Sequence, residues 1–333
     1  MRLPEFSFHE PLTLDQAFAT IKKNNGNARF LAGGTDLVPL MKFGLETPSM
    51  IVSLKKIEGL KGIAEDNGYA MIGALTTLRE IISSTVISGK LPALSEAAMA
   101  VAAPPVWNVA TLGGNIRQQT RCVYYNQSRA WRLEKEPCFK AGGNVCHAVP
   151  RGKKCFSVYC GDIAPALIAL DAAATISGMA GPAEVRLIDL FSNDGLSPFT
   201  LEKNTIITGI KIPVPGAASR SGYAKLRVRS AIDYPLVSAA ASVALDKDSI
   251  ITGVKLALSA VGPAPVAIDL NGVLVGVRID TADFTALKDV LPKKTQIADN
   301  LALPGSYRRK MLSVIAKKAI MKAAERAAEK ETI

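Results

Sequence analysis

Ala110-Thr-Leu-Gly-Gly-Asn-Ile116 and Gly161-Asp-Ile-Ala-Pro-Ala-Leu167 enclose a segment that contains every cysteine of this 333-residue chain. The five thiols are Cys122, Cys138, Cys146, Cys155 and Cys160. Nine Lys or Arg residues and two Glu residues lie between Arg117 and Cys160, so this segment carries +7 of the chain's net charge of +11. Nearby cations keep cysteines deprotonated. Thiols and positive charge gathered so closely therefore favour a group bound by thiolates.

The cysteine spacing narrows the kind of site. Successive intervals from Cys122 to Cys155 are fifteen, seven and eight residues long, and no Cys-x-x-Cys pair occurs. A zinc ribbon prefers two such close pairs. Spacing alone leaves open an iron–sulfur cluster, a zinc site, or unrelated thiols in a basic loop. Because four thiols suffice for a [4Fe–4S] cluster, Cys160, next to the Gly161-Asp162 turn, is the expected non-ligand.

A second glycine-rich turn, Ala32-Gly-Gly-Thr-Asp36, lies about eighty residues before the first. Consecutive glycines expose backbone N–H groups, and a pyrophosphate can accept hydrogen bonds from them and from the following helix N-terminus. Taken alone, such a turn is more often a plain tight turn. No G-x-G-x-x-G is present, which argues against a Rossmann fold. Two such turns in separate parts of the chain suggest one ligand in a cleft between domains.

The pattern of elements predicts an α+β protein with three domains. Their ranges are 1–55, 56–215 with a cysteine insertion at about 117–160, and 217–333 after the Pro213-Val-Pro-Gly216 linker.

Local signals define several elements within these domains. Thr13 is expected to cap a helix that ends at Asn25-Gly26. A β-hairpin is expected with strands at 60–64 and 69–73. A long helix is expected from Ser306 to Lys330, close to the C-terminus.

Composition excludes some function classes. A net charge of +11 is compatible with nucleic-acid binding. However, aromatic residues make up 6% of the chain and no RNP or helix-turn-helix signature occurs, so no nucleic-acid partner is expected. No run of about eighteen apolar residues exists, so no membrane contact is expected. Residues 1–6 show no secretion signal, and a cytoplasmic location, where disulfides are rare, is expected.

Taken together, the two glycine turns, Ala32 to Asp36 and Thr111-Leu-Gly-Gly-Asn115, resemble the flavin subunit of the molybdenum hydroxylase family, which includes xanthine dehydrogenase. Tyr307-Arg-Arg309 before a long helix also fits. The chain departs from the family at Val106-Trp-Asn108, where Ile-Arg-Asn is usual. The resemblance implies a two-part FAD-binding domain of the vanillyl-alcohol-oxidase/PCMH type. A C-terminal α+β domain like that of CO dehydrogenase flavoprotein would follow.

In most of that family the second glycine loop runs almost directly into the Asp-x-x-Pro-Ala-Leu helix. The cysteine segment inserted here resembles the β subunit in the 4-hydroxybenzoyl-CoA reductase branch. Tyr124-Tyr-Asn-Gln-Ser128 and Gly142-Gly-x-x-Cys-His147 carry this match. The branch implies a [4Fe–4S] cluster with the ligands Cys122, Cys138, Cys146 and Cys155.

The resemblance also implies a set of FAD-binding residues spread over all three predicted domains. They are Ala32, Gly33, Gly34, Thr35, Asp36, Thr76, Thr111, Gly113, Gly114, Asn115, Asp162 and Lys225. From the residues alone, Asp162 is equally well a helix N-cap, and Lys225 is more simply a solvated strand charge.

The implied function is electron transfer, with FAD and the cluster in this chain and no catalytic residue. The implied partners are a large molybdopterin-binding subunit, a small [2Fe–2S] subunit and a ferredoxin-like donor, in a dimer of heterotrimers. The partner chain's molybdenum cofactor would remove the 4-hydroxyl group of 4-hydroxybenzoyl-CoA.

Three alternatives stay open. The same subunit type also serves enzymes that hydroxylate a purine, an aldehyde or an N-heterocycle. A flavin oxidase of the vanillyl-alcohol-oxidase type often attaches its flavin to a His near the first loop, whereas this chain has His9 and His147 and no other histidine. The third alternative is a basic binding module stabilised by zinc.

Overall fold

The computed structural model describes residues 3–23, 27–202, 204–216 and 218–329. Three β-sheets follow one another along this part of the chain, and helices pack against and between them. None of its helices combines the length and the apolar composition that crossing a bilayer requires.

The first sheet is parallel and small. Its elements are β1 (Ser7–His9), α1 (Leu14–Lys22), β2 (Ala28–Leu31), α2 (Leu37–Lys42) and β3 (Met50–Ser53). The strand order is β1-β3-β2. The Thr13 hydroxyl accepts the N–H of Gln16 at 3.2 Å, so α1 begins at the predicted cap. The predicted stop at Asn25-Gly26 lies outside the described residues.

The second sheet is antiparallel, with strand order β4-β5-β8-β6-β7. The segment that contains it comprises β4 (Ile63–Asp66), β5 (Tyr69–Gly73), α3 (Leu78–Ser83), α4 (Thr85–Lys90), α5 (Pro92–Ala100), α6 (Pro104–Trp107), α7 (Leu112–Ile116), α8 (Arg129–Leu133), α9 (Ile163–Ala169), β6 (Ala173–Gly178), β7 (Gly181–Arg186) and β8 (Ile206–Pro213).

The predicted hairpin is present, but the prediction of its first strand was wrong. The strand runs over Ile63–Asp66 and not over 60–64. Asn67 and Gly68 form the two-residue turn, with φ of 48° and 81°. Two consecutive positive φ values match the type I′ turn, whose twist suits a hairpin. The acidic residues before the turn are therefore part of the strand.

The third sheet is antiparallel, with strand order β12-β11-β10-β9. Its segment comprises β9 (Ser219–Leu226), β10 (Val237–Leu245), β11 (Ile251–Ser259), β12 (Val266–Asp269), α10 (Asn271–Leu274), α11 (Leu287–Lys293) and α12 (Gly305–Glu329). The long helix α12 packs on β9 and β10 and was predicted within one residue at its start. Its buried alanines, such as Ala319 and Ala323, let it approach the strands closely.

Helix α9 joins the second and third sheets. It contacts β10 and β11 of the third sheet and α5 of the second segment. All seven of its residues are buried. A helix that is apolar on every side requires such a position, enclosed by protein. The cysteine segment therefore ends at the most enclosed helix of the described structure.

A buried arginine bonds three loops around the third sheet. Arg308 is fully buried at the start of α12. Its guanidinium donates to the carbonyls of Leu236, Ala298 and Ala260 at 2.9, 3.0 and 2.6 Å. One side chain thus satisfies three backbone acceptors from three different loops.

We predict that Arg308→Leu lowers the free energy of unfolding by about 3 kcal/mol or more, since each buried carbonyl left without a donor costs about 1–3 kcal/mol. Thermal unfolding followed by circular dichroism measures this. The control is Arg278→Leu, which removes an exposed arginine paired with Asp280 and is expected to leave the midpoint unchanged. Equal midpoints for the two variants would contradict the prediction.

Candidate functional site

A cavity of about 500 Å³ lies between the first and second sheets. This volume is typical of sites for small molecules and cofactors. Both glycine loops contribute to its wall. Eight of the predicted FAD-binding residues line it: Ala32, Gly33, Gly34, Thr35, Asp36, Thr111, Gly113 and Gly114.

The two loops touch through their backbones. A Cβ on Gly33 would lie 2.0 Å from the carbonyl oxygen of Val109, a backbone atom that no side-chain rotation can move away. Gly34 has φ of +76°, which disfavours other residues. A Cβ on Gly113 would lie 2.8 Å from that of Ala74. Gly33 is therefore required for the close approach of the two loops, and Gly113 for the approach of the second loop to Ala74.

The two loops differ in the N–H groups that they offer. In the second loop, the N–H of Gly113 donates to the carbonyl of Ala74 at 2.8 Å, and the N–H of Gly114 donates to the Thr111 hydroxyl at 3.2 Å. Within the described residues, no such bond engages the N–H groups of Gly33, Gly34 or Thr35. The first loop can thus donate to an anionic ligand, whereas the second forms a wall.

Asp36 connects the first loop to the start of the cysteine segment. One carboxylate oxygen accepts the N–H of Gln119 at 2.9 Å, and the other pairs with the guanidinium of Arg121. The same guanidinium stacks on the ring of Tyr234, 4.6 Å from its centroid. Asp36 lines the cavity, but its carboxylate is already committed to protein donors.

Four predicted FAD-binding residues lie outside the cavity wall: Thr76, Asn115, Asp162 and Lys225. The Thr76 hydroxyl bonds both the N–H and the carbonyl of Gly62 at 3.0 Å. Asn115 accepts the N–H of Ile163 at 3.3 Å, so this side chain bonds the first turn of α9. Asp162 occupies the N-cap position of α9, as its alternative reading predicted, but its side chain makes no capping bond.

Asp162 and Lys225 form a buried ion pair at 3.0 Å, with side chains 6% and 4% exposed. The Lys225 ammonium also donates to the carbonyls of Ala100 and Asp233, which uses all three of its protons. The Tyr223 hydroxyl donates to the other oxygen of Asp162. Burial raises the pKa of Asp162, while Lys225 and Tyr223 act in the opposite direction. Lys225 is therefore not a solvated strand charge, and a contact with flavin would require it to exchange a partner.

Sequence reasoning missed part of the cavity wall. Arg117 and the loop from Ser197 to Leu201 line it. The guanidinium of Arg117 stacks over the ring of Phe199, 4.7 Å from the centroid. The Ser197-Pro-Phe-Thr200 loop has no glycine signature and lies about eighty residues from the second glycine loop. Arg117, which stacks on this loop, belongs in sequence to the basic cysteine segment, and no local signal assigns it to the cavity.

Four of the five cysteines share one electrostatic environment. Burial, together with the charges of Cys155, Cys146 and Cys138, raises the pKa of Cys122 to about 11. Cys155 is buried, and the other three are half-buried. In the described residues, no three His, Cys, Asp or Glu side chains are arranged to hold a metal ion.

Lys140 is a cation that interacts electrostatically with these thiols. Its ammonium donates to the carbonyl and hydroxyl of Thr120 at 2.9 and 2.6 Å. Burial lowers its pKa, while the charges of Cys155 and Cys122 act to raise it. Its positive charge favours the thiolate form of Cys155 and acts against the effect of burial on that thiol.

Cys160 lies in a different environment. It is fully buried and packs with Val158 and with Ala260, the residue that follows β11 of the third sheet. Burial raises the pKa of its thiol to about 12, opposed mainly by the charge of Arg308. Such a thiol stays protonated and inert at neutral pH.

Comparison with known proteins gave consistent matches over the whole chain. Residues 4–215 match the FAD binding domain in molybdopterin dehydrogenase, and residues 222–323 match the CO dehydrogenase flavoprotein C-terminal domain. The sequence is 29% identical to the carbon monoxide dehydrogenase medium chain of Afipia carboxidovorans, covering 97% of this chain and 98% of that one. It is 31% identical to the aldehyde oxidoreductase FAD-binding subunit of Escherichia coli, over 65% of this chain and 70% of that one.

A solved structure gives the same result for the fold. Reconstituted CO dehydrogenase from Oligotropha carboxidovorans superposes with a TM-score of 0.80 and 27% identity, covering 98% of this chain and 100% of that chain. The predicted fold class, a two-part FAD-binding region followed by a CO dehydrogenase-like α+β domain, is confirmed.

We predict that Gly33→Ala weakens FAD binding about tenfold or more, because the added methyl group must push the two loops apart and open the cavity. The ratio of flavin to protein after desalting, with the dissociation constant from fluorescence titration, measures the loss. Gly89→Ala is the matched control, since nothing lies within 4 Å of a Cβ there. Retention of flavin by the Gly33 variant would show that the loops tolerate separation.

Proposed function

Because this chain belongs to the family of FAD-binding subunits of molybdenum hydroxylases, we propose that it is the electron-transfer subunit of an enzyme of 4-hydroxybenzoyl-CoA reductase type. It is an oxidoreductase subunit that binds FAD. The observation that carries the FAD site is the cavity wall built from both glycine loops, with unengaged N–H groups at Gly33, Gly34 and Thr35. These donors suit the pyrophosphate of FAD. Bound flavin supplies a carrier that accepts two electrons and can exchange them singly.

The second part of the proposal is a [4Fe–4S] cluster held by Cys122, Cys138, Cys146 and Cys155. Its support is the shared electrostatic environment of these thiols and the half-buried Lys140. Each cysteine of such a cluster binds a different iron, so the four sulfur atoms stand farther apart than ligands around one ion. The cluster would supply single-electron transfer, and Lys140 would offset part of its negative charge.

We propose that the substrate reacts in a partner chain and not in this one. A large molybdopterin-binding subunit and a small [2Fe–2S] subunit, in a dimer of heterotrimers, are the proposed partners. The proposed reaction consumes two electrons and two protons, converts 4-hydroxybenzoyl-CoA to benzoyl-CoA and releases water. A ferredoxin-like protein would supply the electrons. The inserted cysteine segment is the feature that supports this direction of electron flow.

Two similar proteins favour a second candidate. Their names specify a carbon monoxide dehydrogenase and an aldehyde oxidoreductase. The alternative is therefore a molybdenum enzyme that oxidises its substrate. Assay of the purified complex decides between the two. Benzoyl-CoA formed from 4-hydroxybenzoyl-CoA with reduced ferredoxin supports the reductase. Reduction of an artificial acceptor by an aldehyde, a purine or an N-heterocycle supports the alternative.

We predict about four irons and four acid-labile sulfides per chain in protein purified without oxygen, together with one FAD. Metal analysis, sulfide determination and flavin release by heat measure the three quantities. One zinc per chain without sulfide would instead identify a zinc-stabilised module. A colourless preparation that releases no flavin would overturn the whole assignment.

We predict that Cys122→Ala loses the iron and keeps the flavin, whereas Cys160→Ala keeps both. Cys122 is half-buried and interacts with the charges of three other thiols, while Cys160 packs against Val158 and Ala260. Iron content and the visible spectrum of each variant provide the measurement. Loss of iron from the Cys160 variant would show that the ligand set is wrong.

A further inference from the structure

The cavity wall contains a half-buried arginine with one buried, unused donor atom. Arg117 lines the cavity beyond the second glycine loop. Its Nη1 is buried and, within the described residues, has no hydrogen-bond partner. A charged donor buried without an acceptor is costly, and such groups in a native protein usually meet a ligand or water. The unmatched Nη1 therefore indicates an acceptor that the protein itself does not supply.

The charge of Arg117 is also uncompensated. Burial lowers its pKa to about 10, and no carboxylate acts in the opposite direction. Three carboxylates line the cavity: Asp36 pairs with Arg121, Glu46 pairs with Arg29, and Glu202 does not act on the pKa of Arg117. A ligand that brings negative charge into the cavity would thus find Arg117 free to pair with it.

Arg117 lies where the cavity wall leads into the cysteine segment. Arg117, Gln118 and Gln119 line the cavity, and Cys122 follows three residues after Gln119. Ile21, Ala28 and Leu54 form an apolar part of the wall. Electron transfer slows steeply with distance, so we place the redox-active ring of FAD on the side of the wall nearer the cysteines. The ring of Phe199 in the same wall offers a flat aromatic surface beside the guanidinium.

We propose that Arg117 contacts the isoalloxazine ring of FAD and stabilises the negative charge that the ring gains on reduction. The inference deepens the proposed function and rests on both of its parts, FAD bound in this cavity and an electron-transfer cluster at the cysteines. Positive charge near the ring's pyrimidine edge favours the reduced form. Because Nη1 has no other partner, the contact costs the protein no existing hydrogen bond. The first glycine loop remains the site for the pyrophosphate.

The test compares three variants of the full-length, FAD-loaded protein. Arg117→Met removes the charge, Arg117→Lys keeps it, and Arg79→Met is the matched control. Arg79 also stacks on an aromatic ring, that of Trp107 at 5.0 Å, but lies outside the cavity wall. The readouts are the flavin midpoint potential against pH, from anaerobic spectroelectrochemical titration, and the dissociation constant of FAD.

We expect the Arg117→Met variant to have a more negative flavin potential and a higher pKa for the reduced ring, since the anionic form loses its counter-charge. The Arg117→Lys variant should lie closer to wild type, and Arg79→Met should equal it. A potential unchanged in Arg117→Met overturns the proposal. Weaker FAD binding with an unchanged potential also overturns it, because the guanidinium would then serve the pyrophosphate.

Two further measurements separate the possible failures. If Arg117→Met does not fold, Arg117→Gln and a crystal structure of the FAD-bound wild type replace it, and a guanidinium distant from the ring refutes the contact. Wild-type protein that takes up no FAD would refute the proposed function, a result distinct from a wrong role for Arg117.

Discussion

The contact between the two glycine loops is the constraint on which the candidate site depends. At Gly33 the backbone of Val109 occupies the space of a side chain, so the loop after β2 and the loop before α7 lie against each other. The cavity exists because two separate sheets meet along this contact. Asp36 extends the contact by holding Gln119 and Arg121. The same few residues thus connect the flavin cavity with the start of the cysteine segment.

The cysteine segment, residues 117–160, is held by backbone and charge contacts more than by regular structure. Arg121 and Val158 exchange backbone hydrogen bonds at 2.7 Å, which brings its two ends together. Lys140 reaches back to Thr120 across the segment. The proposed cluster would add stability by connecting its four ligands. The basic composition supplies donors to backbone carbonyls, and with the proposed cluster bound it would also offset thiolate charge.

The third sheet contributes to the site indirectly. Its Tyr223 and Lys225 reach Asp162 at the start of α9, and the pair is buried at the junction of the second and third sheets. Breaking a buried pair by removing one partner leaves an uncompensated charge and is strongly destabilising. This network positions α9 and hence the end of the cysteine segment. The polar side chains shared by the two sheets at this junction, more than the sheets themselves, determine where α9 lies.

The sequence by itself determined the α+β class, the two glycine loops and the long helix α12. The adjacent Gly161-Asp162 turn also distinguished Cys160 from the other four thiols. The sequence did so because these features depend on local composition and spacing. Tertiary structure alone decided that Asn115 and not Asp162 bonds the first turn of α9, that Lys225 is buried, and that Arg117 joins Phe199 in the cavity wall. Each of these contacts joins residues distant in sequence, and burial or an unmet hydrogen bond becomes visible once the chain is folded.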